Sequence, residues 1–272
     1  MKPLIALGLL CVATVCHAAD ECRFSAARSA AIDAAGARKI VIAAGAGDLQ
    51  VRGRTGQSAV QANARACASS QELLDQIQLE SRREGDVLHL KTVLPTLADS
   101  LLGFNRYATL DLNIVLPASL DAAIEDSSGD MELTNLASAV VADSSGDIEI
   151  EGIAGRLDLT DSSGDIEIEN VGGPLRVHDS SGDIEIENVR GAIDITVDSS
   201  GDIHIEDVAG DVHIGNDGSG GISIRHAKGD VVIDSDSSGD IIVDDVAGKF
   251  VVGADSSGNI RHTRVQGTVQ LP

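Results

Sequence analysis

Aromatic side chains are almost missing from this 272-residue chain: Trp is absent, and only Tyr107, Phe24, Phe104 and Phe250 represent the class. A globular core of this size normally uses more of them, so a core here is filled by thin aliphatic layers. Basic residues are scarce as well, 20 Lys and Arg against 43 Asp and Glu, for a net charge of −23. A charge of that sign repels nucleic acid and anionic membrane, favours cations or basic partners, and keeps a protein soluble. Beyond the first residues no apolar run approaches the ~18 that a membrane-spanning helix needs, so no integral membrane span is expected. No nucleophile elbow, phosphate-binding loop or zinc motif occurs.

The chain opens with Lys2, the apolar run PLIALGLLCVATVC and then CHA before Ala19. Small residues at −3 and −1 of a cut after Ala18 mark residues 1–18 as a secretory signal peptide. Leu10, Val15 and Glu21 precede the cysteines, which argues against lipidation. Cleavage removes Lys2 and no acid, taking the charge to −24. Cys22 and Cys67 survive, and export to the periplasm or cell surface favours a bond between them. The alternative is two buried free thiols.

The stretch DSSGDIEIENV stands at Asp161–Val171 and again, letter for letter, at Asp179–Val189. The glycine of each copy serves as a marker: Gly129, Gly146, Gly164, Gly182, Gly201, Gly220, Gly239 and Gly258, spaced by 17 to 19 residues. Such a period marks a solenoid. A second glycine follows nine residues later in seven copies, Gly155, Gly173, Gly191, Gly210, Gly229, Gly248 and Gly267, with Ser138 in the first. Apolar residues recur 2, 4, 7, 11 and 13 positions after the marker, as in Ile166, Ile168, Val171, Leu175 and Val177. Their alternation has period two and reads as two short strands per repeat. No repeat can bury its apolar face alone, whereas a stack buries all five columns.

The expected fold is therefore all-β: a parallel β-helix (β-solenoid), right-handed by the crossover preference, with about 18–19 residues and two short strands per coil. Eight regular coils span residues 126–272, a rod of about 38 Å at ~4.8 Å per coil. The glycines are expected at turns with positive φ. Residues 19–125 read as irregular coils of the same stack that cover its first edge. GDLQVRG from Gly47 and GDVLHL from Gly85 echo the repeat, and SSQE at Ser69–Glu72 reads as a capping box for a short helix through Gln76. At the far end Arg261, His262, Arg264 and Pro272 suit protection of an open edge.

An exported chain with tandem SSGDI-x-I coils resembles the bacterial adhesin-like β-strand-repeat family, exported β-helix domains of unknown function. The resemblance covers most of the chain after the signal peptide and is strongest from Asp126 onward. It implies a periplasmic or cell-surface β-helix and brings no catalytic residues to transfer.

Two aspartate columns flank the marker. Asp126, Asp143, Asp161, Asp179, Asp198, Asp217, Asp236 and Asp255 lie three residues before it, and Asp130, Asp147, Asp165, Asp183, Asp202 and Asp240 one residue after. Carboxylates ~4.8 Å apart repel by about 1 kcal/mol in bulk water and about 3.5 at an effective dielectric of 20. Two arrangements relieve this. Ca²⁺ between turns would use Asp143, Asp147, Asp161, Asp165, Asp179, Asp183, Asp198 and Asp202. Asx-turns to the amide two residues on, with solvent screening, need no metal. Outward columns add Glu132, Glu149, Glu167 and Glu185, and Glu151, Glu169, Glu187 and Glu206. The histidines fall at differing offsets and build no repeated metal site.

Three function classes follow. The first is a non-catalytic structural or adhesin-like protein of the cell envelope with a protein or glycan partner. The second is a Ca²⁺-binding module, and divalent cation is the only cofactor the sequence suggests. The third, a polysaccharide-acting enzyme, is disfavoured because such short coils leave no long loops to build a cleft.

Overall fold

A computed structural model describes residues 22–97 and 106–272; the signal peptide expected at 1–18 lies outside the described residues. The described residues form two twelve-stranded sheets, each receiving one strand from every coil. In the regular part all pairings are parallel and in register: Ile148, Ile166, Ile184, Ile203, Ile222, Ile241 and Ile260 stand in one file. The β-solenoid expected from the repeat is the fold found. From the Gly146 copy to the Gly239 copy all five apolar columns face inward and merge with the N-terminal aliphatics into one continuous core, whereas the shorter first copy buries Ala139 and Val141 and leaves Val140 exposed, and the last copy leaves Val269 and Leu271 exposed. Phe250 is the one aromatic among the largest fully buried side chains.

Alternation alone leaves a difficulty, because offsets 4 and 7 are three residues apart and yet both point inward. The residue between them resolves it. Asn135, Asn170, Asn188, Asp207, His226, Asp245 and Arg264 have φ between 52° and 60°, and Gly152 has φ 76°. One left-handed residue turns the strand by a corner, so Ile168 and Val171 both enter the core while Glu169 and Asn170 stay outside. Asn and Asp tolerate this conformation better than other residues with a Cβ.

The marker glycines do lie at positive φ, from 118° at Gly129 to 146° at Gly239. The second glycine set does not, contrary to expectation. Its constraint is space: a Cβ on Gly173 would come within 2.6 Å of the Gly155 carbonyl oxygen in the preceding coil.

The N-terminal part is less simple than a run of irregular coils. Its elements are β1 (Phe24–Asp33), β2 (Lys39–Ala43), β3 (Leu49–Arg54), β4 (Ala59–Ala68), α1 (Gln71–Gln76), β5 (Gln78–Glu84), β6 (Val87–Val93), β7 (Ala108–Pro117) and β8 (Asp121–Glu125), before β9 (Met131–Thr134) and β10 (Ser138–Ala142). Strands β2 and β3 form a coil with Gly47 as its marker, at φ 127°. This coil lies between the coil of β6 and β7 and the strands β8 and β9, so spatial order departs from chain order. Strands β1, β4 and β5 are antiparallel additions at the edge. Gly85 is not a coil marker: it turns the antiparallel hairpin of β5 and β6. The helix α1 is present, but Ser70 caps it by accepting from the Leu73 amide, one residue later than SSQE suggested. Leu73, Leu74 and Ile77 close a small second core with Ala66, Ala68 and Leu110. The Cys22–Cys67 disulfide ties the first residues to β4 beside it.

Candidate functional site

The SSGD turn places its two aspartates on opposite sides of the wall. Asp126, Asp143, Asp161, Asp179, Asp198, Asp217 and Asp236 point inward and are all at most 7% exposed, while Asp255 in the last coil is partly open. Asp130, Asp147, Asp165, Asp183, Asp202 and Asp240 point out. Of the eight candidate calcium ligands, Asp143, Asp161, Asp179 and Asp198 are thus interior and Asp147, Asp165, Asp183 and Asp202 exterior. Each set forms its own file, and the turn keeps the two files apart.

The outer file has a structural task that the sequence did not disclose. Each carboxylate accepts the amide one coil on: Asp147 from Asp165 at 3.1 Å, Asp165 from Asp183 at 2.9 Å, Asp183 from Asp202 at 2.8 Å and Asp202 from Gly221 at 2.7 Å. Charge-assisted bonds of this kind satisfy turn amides that the strand ladder does not reach. The opposite corner repeats the device, with Asp211 accepting from Asp230 and Asp230 from Lys249. At six of the eight markers the preceding serine completes the turn by donating to a carbonyl of the coil before, as Ser181 does to Ser162 at 3.1 Å.

The inner file behaves differently. Asx-turns are formed at Asp198, which accepts from Ser200 at 3.2 Å, and at Asp236, from Ser238 at 2.9 Å. Neither carboxyl oxygen of Asp126, Asp143, Asp161, Asp179 or Asp217 has a hydrogen-bond partner among the described residues. Loss of solvation pushes these acids up, to about 7 at Asp126 and Asp217 and about 6 at Asp143 and Asp198. Nearby turn amides oppose the shift, and neighbouring carboxyls reinforce it at Asp126, Asp143, Asp198 and Asp217.

Outside, Glu132, Glu149, Glu167 and Glu185 pair in register along one sheet. With the outer aspartates they border a groove of about 610 Å³ that also meets Asp48 and Gln50. Partial desolvation, then the charges of Glu149, Glu169, Glu185 and Glu187, raise the pKa of Glu167. The file ends at His204 in the next coil. A second groove of about 860 Å³ follows the left-handed corner past Asn170, Asn188, Asp207 and His226, with Arg190 and Lys228 on its far bank.

Two histidines are fixed by acids. His213 binds Asp194 through Nδ1 at 2.9 Å and Asp234 through Nε2 at 3.0 Å, bridging three coils. Its hydrogen bond to Asp194, then that to Asp234, raises the imidazole above its ordinary value against the pull of burial. His226 meets Glu206 and Asp207 at 3.4 and 3.3 Å. This trio is the one group of three or more metal-capable side chains within 4.8 Å of one another among the described residues.

The family model described as Toastrack DUF4097 matches residues 27–234, most of the chain. The chain belongs to this family. The Toastrack assignment agrees with the adhesin-like repeat family that the SSGD coils resemble. Nothing among curated proteins matches the chain. Among solved structures, a proposed cell adhesion protein from Clostridium sporogenes ATCC 15579 is 10% identical, covering 92% of this chain and 100% of that chain, with a TM-score of 0.29. A proposed lipid-binding protein from Parabacteroides distasonis ATCC 8503 is 16% identical over 91% and 96%, with a TM-score of 0.42. A proposed adhesin from Bacteroides fragilis NCTC 9343 is 14% identical over 92% and 98%, with a TM-score of 0.32. Likenesses of this grade carry no argument about what the Toastrack chain binds.

Proposed function

We infer that this chain is an exported, non-catalytic solenoid of the cell envelope, an adhesin-like interaction element whose working surface is the acidic face of its first coils. The observation behind this reading is the pair of carboxylate files, Asp130 to Asp183 and Glu132 to Glu185, that border one groove in register and are exposed apart from Glu132, which pairs with Arg52. Side chains repeated at ~4.8 Å on a rigid sheet match a repeating cationic partner, a basic protein segment or an amine-bearing glycan. Coils of 17 to 19 residues give no long loops from which a catalytic cleft is built.

The test is binding of the purified protein to basic peptides and amine-bearing glycans at low and high salt. The Glu149→Gln, Glu167→Gln, Glu185→Gln variant should lose at least roughly tenfold in affinity, since several carboxylates engage one partner and rim charges act mainly through long-range attraction. Unchanged binding by that variant would remove the acidic face from consideration.

A second reading, divalent cation binding, draws support from the outer file alone. Asp147, Asp165, Asp183 and Asp202 each commit one oxygen to the amide ladder and remain exposed. Hard cations take several such oxygens at once. Unfolding with EDTA, Mg²⁺ and Ca²⁺ at matched ionic strength checks it: a rise specific to Ca²⁺ supports a metal role, and an unchanged midpoint rejects it.

A further inference from the structure

The inner aspartates pose a problem of charge that turn chemistry does not solve. Seven of them are at most 7% exposed. They stack directly, with Asp198 opposite Asp217, Asp217 opposite Asp236, and Asp236 opposite Asp255. No Lys or Arg side chain pairs with any of them among the described residues. The charged groups that bear on the file are its own members, Asp48 near Asp126, Asp183 near Asp198 and His178 near Asp179. Of these only His178 can offset a negative charge.

Isolated buried carboxylates are expensive, and a group in that position gives up its charge. A file of them has a cheaper solution than full protonation. A protonated carboxyl is a donor and an ionised one is an acceptor, so alternate members satisfy each other. Asp217 and Asp236 face one another in adjacent coils, and the Asp236 carboxyl helps to push the Asp217 acid up.

We propose that the inner aspartates form a proton-sharing ladder inside the solenoid, one proton held between carboxyls of adjacent coils, so that the rod takes up protons as it folds. The seven buried members, paired coil to coil, hold about three protons, and coupled sites of this kind titrate as a set rather than singly. Unfolded aspartates release these protons near 3.9. The raised folded-state affinity therefore contributes stability that is complete at low pH and is lost as pH rises through about 6 to 7. The rod is expected to be sturdier in mild acid than in mild base, opposite to ordinary acid denaturation.

Two measurements decide it. The infrared spectrum of the folded protein at pH 6 should contain a protonated-carboxyl C=O band that weakens in Asp161→Asn, Asp179→Asn and persists in the outer-file control Asp165→Asn, Asp183→Asn. Proton uptake on refolding from urea at pH 6 should be about three per chain in the parent, and fewer in the inner variant. Absence of the band in folded parent protein overturns the proposal whether or not the inner variant folds. So does loss of the band on adding Ca²⁺ at pH 6 with a matching rise in the unfolding midpoint, because the file would then be a cation channel.

Discussion

A Cβ on Gly201 would stand 1.8 Å from the carbonyl oxygen of Gly182, one coil earlier. The marker glycines are thus held twice, by a φ of 134° at Gly201 and by backbone on the adjoining coil. Gly201→Ala must displace main chain rather than a flexible side chain, and should cost about 3 kcal/mol or more. Gly85→Ala, at φ 64° with nothing within 4 Å, should cost about 1 kcal/mol. Urea unfolding of both variants checks the contrast, and equal losses would mean that coil spacing is looser than the backbone contact implies.

Asp165 accepts the Asp183 amide while standing between like charges. Asp165→Ala removes the acceptor and should cost about 1 kcal/mol. Asp165→Asn keeps an oxygen in place and lowers repulsion, so its midpoint should match or exceed that of the parent at low salt and converge with it at high salt. Denaturation at two ionic strengths separates these effects.

Reduction of Cys22–Cys67 opens a loop of 45 residues. In the chain-entropy account the loss is about 4 kcal/mol. It should fall on β1, β4 and α1, leaving the regular coils folded. Hydrogen exchange with and without reductant tests this: protection should drop across residues 24–77 and persist at Ile184 and Ile203.

His213 is pinned between Asp194 and Asp234 and titrates above its ordinary value. Its contribution is present below about 6.5 and disappears as pH rises through the folded value. The side chain is 43% exposed, so solvent screening keeps the effect small. An NMR titration should show the imidazole protonating above 6.5, with the shift reduced in Asp194→Asn.

Much of this architecture is legible in the sequence because period-two alternation and a fixed marker interval admit few other readings. Ile166, Ile168 and Val171 declare the core without help. The left-handed corner at Asn170 and Asn188 leaves a trace, an Asn where two apolar positions fall three apart, but His226 and Arg264 at the same place conceal it. The opposed directions of Asp161 and Asp165 are invisible, since both are aspartates in one turn and only the backbone path around Gly164 tells inside from outside. The outer ladder is hidden for a similar reason: its partner is an amide 18 residues away, not a side chain. The displaced coil of β2 and β3 depends on long-range pairing with β8 and β9 that no local pattern encodes.

That displaced coil makes the two ends of the molecule unequal as building material. A whole copy of DSSGDIEIENV and its return strand can enter or leave between Asp161 and Asp179 with every contact above and below preserved, lengthening or shortening the rod by one ~4.8 Å step. Near β2 and β3 no such unit exists, because each neighbouring strand comes from a distant stretch of chain. The protein is therefore a fixed clasp carrying a shaft of adjustable reach.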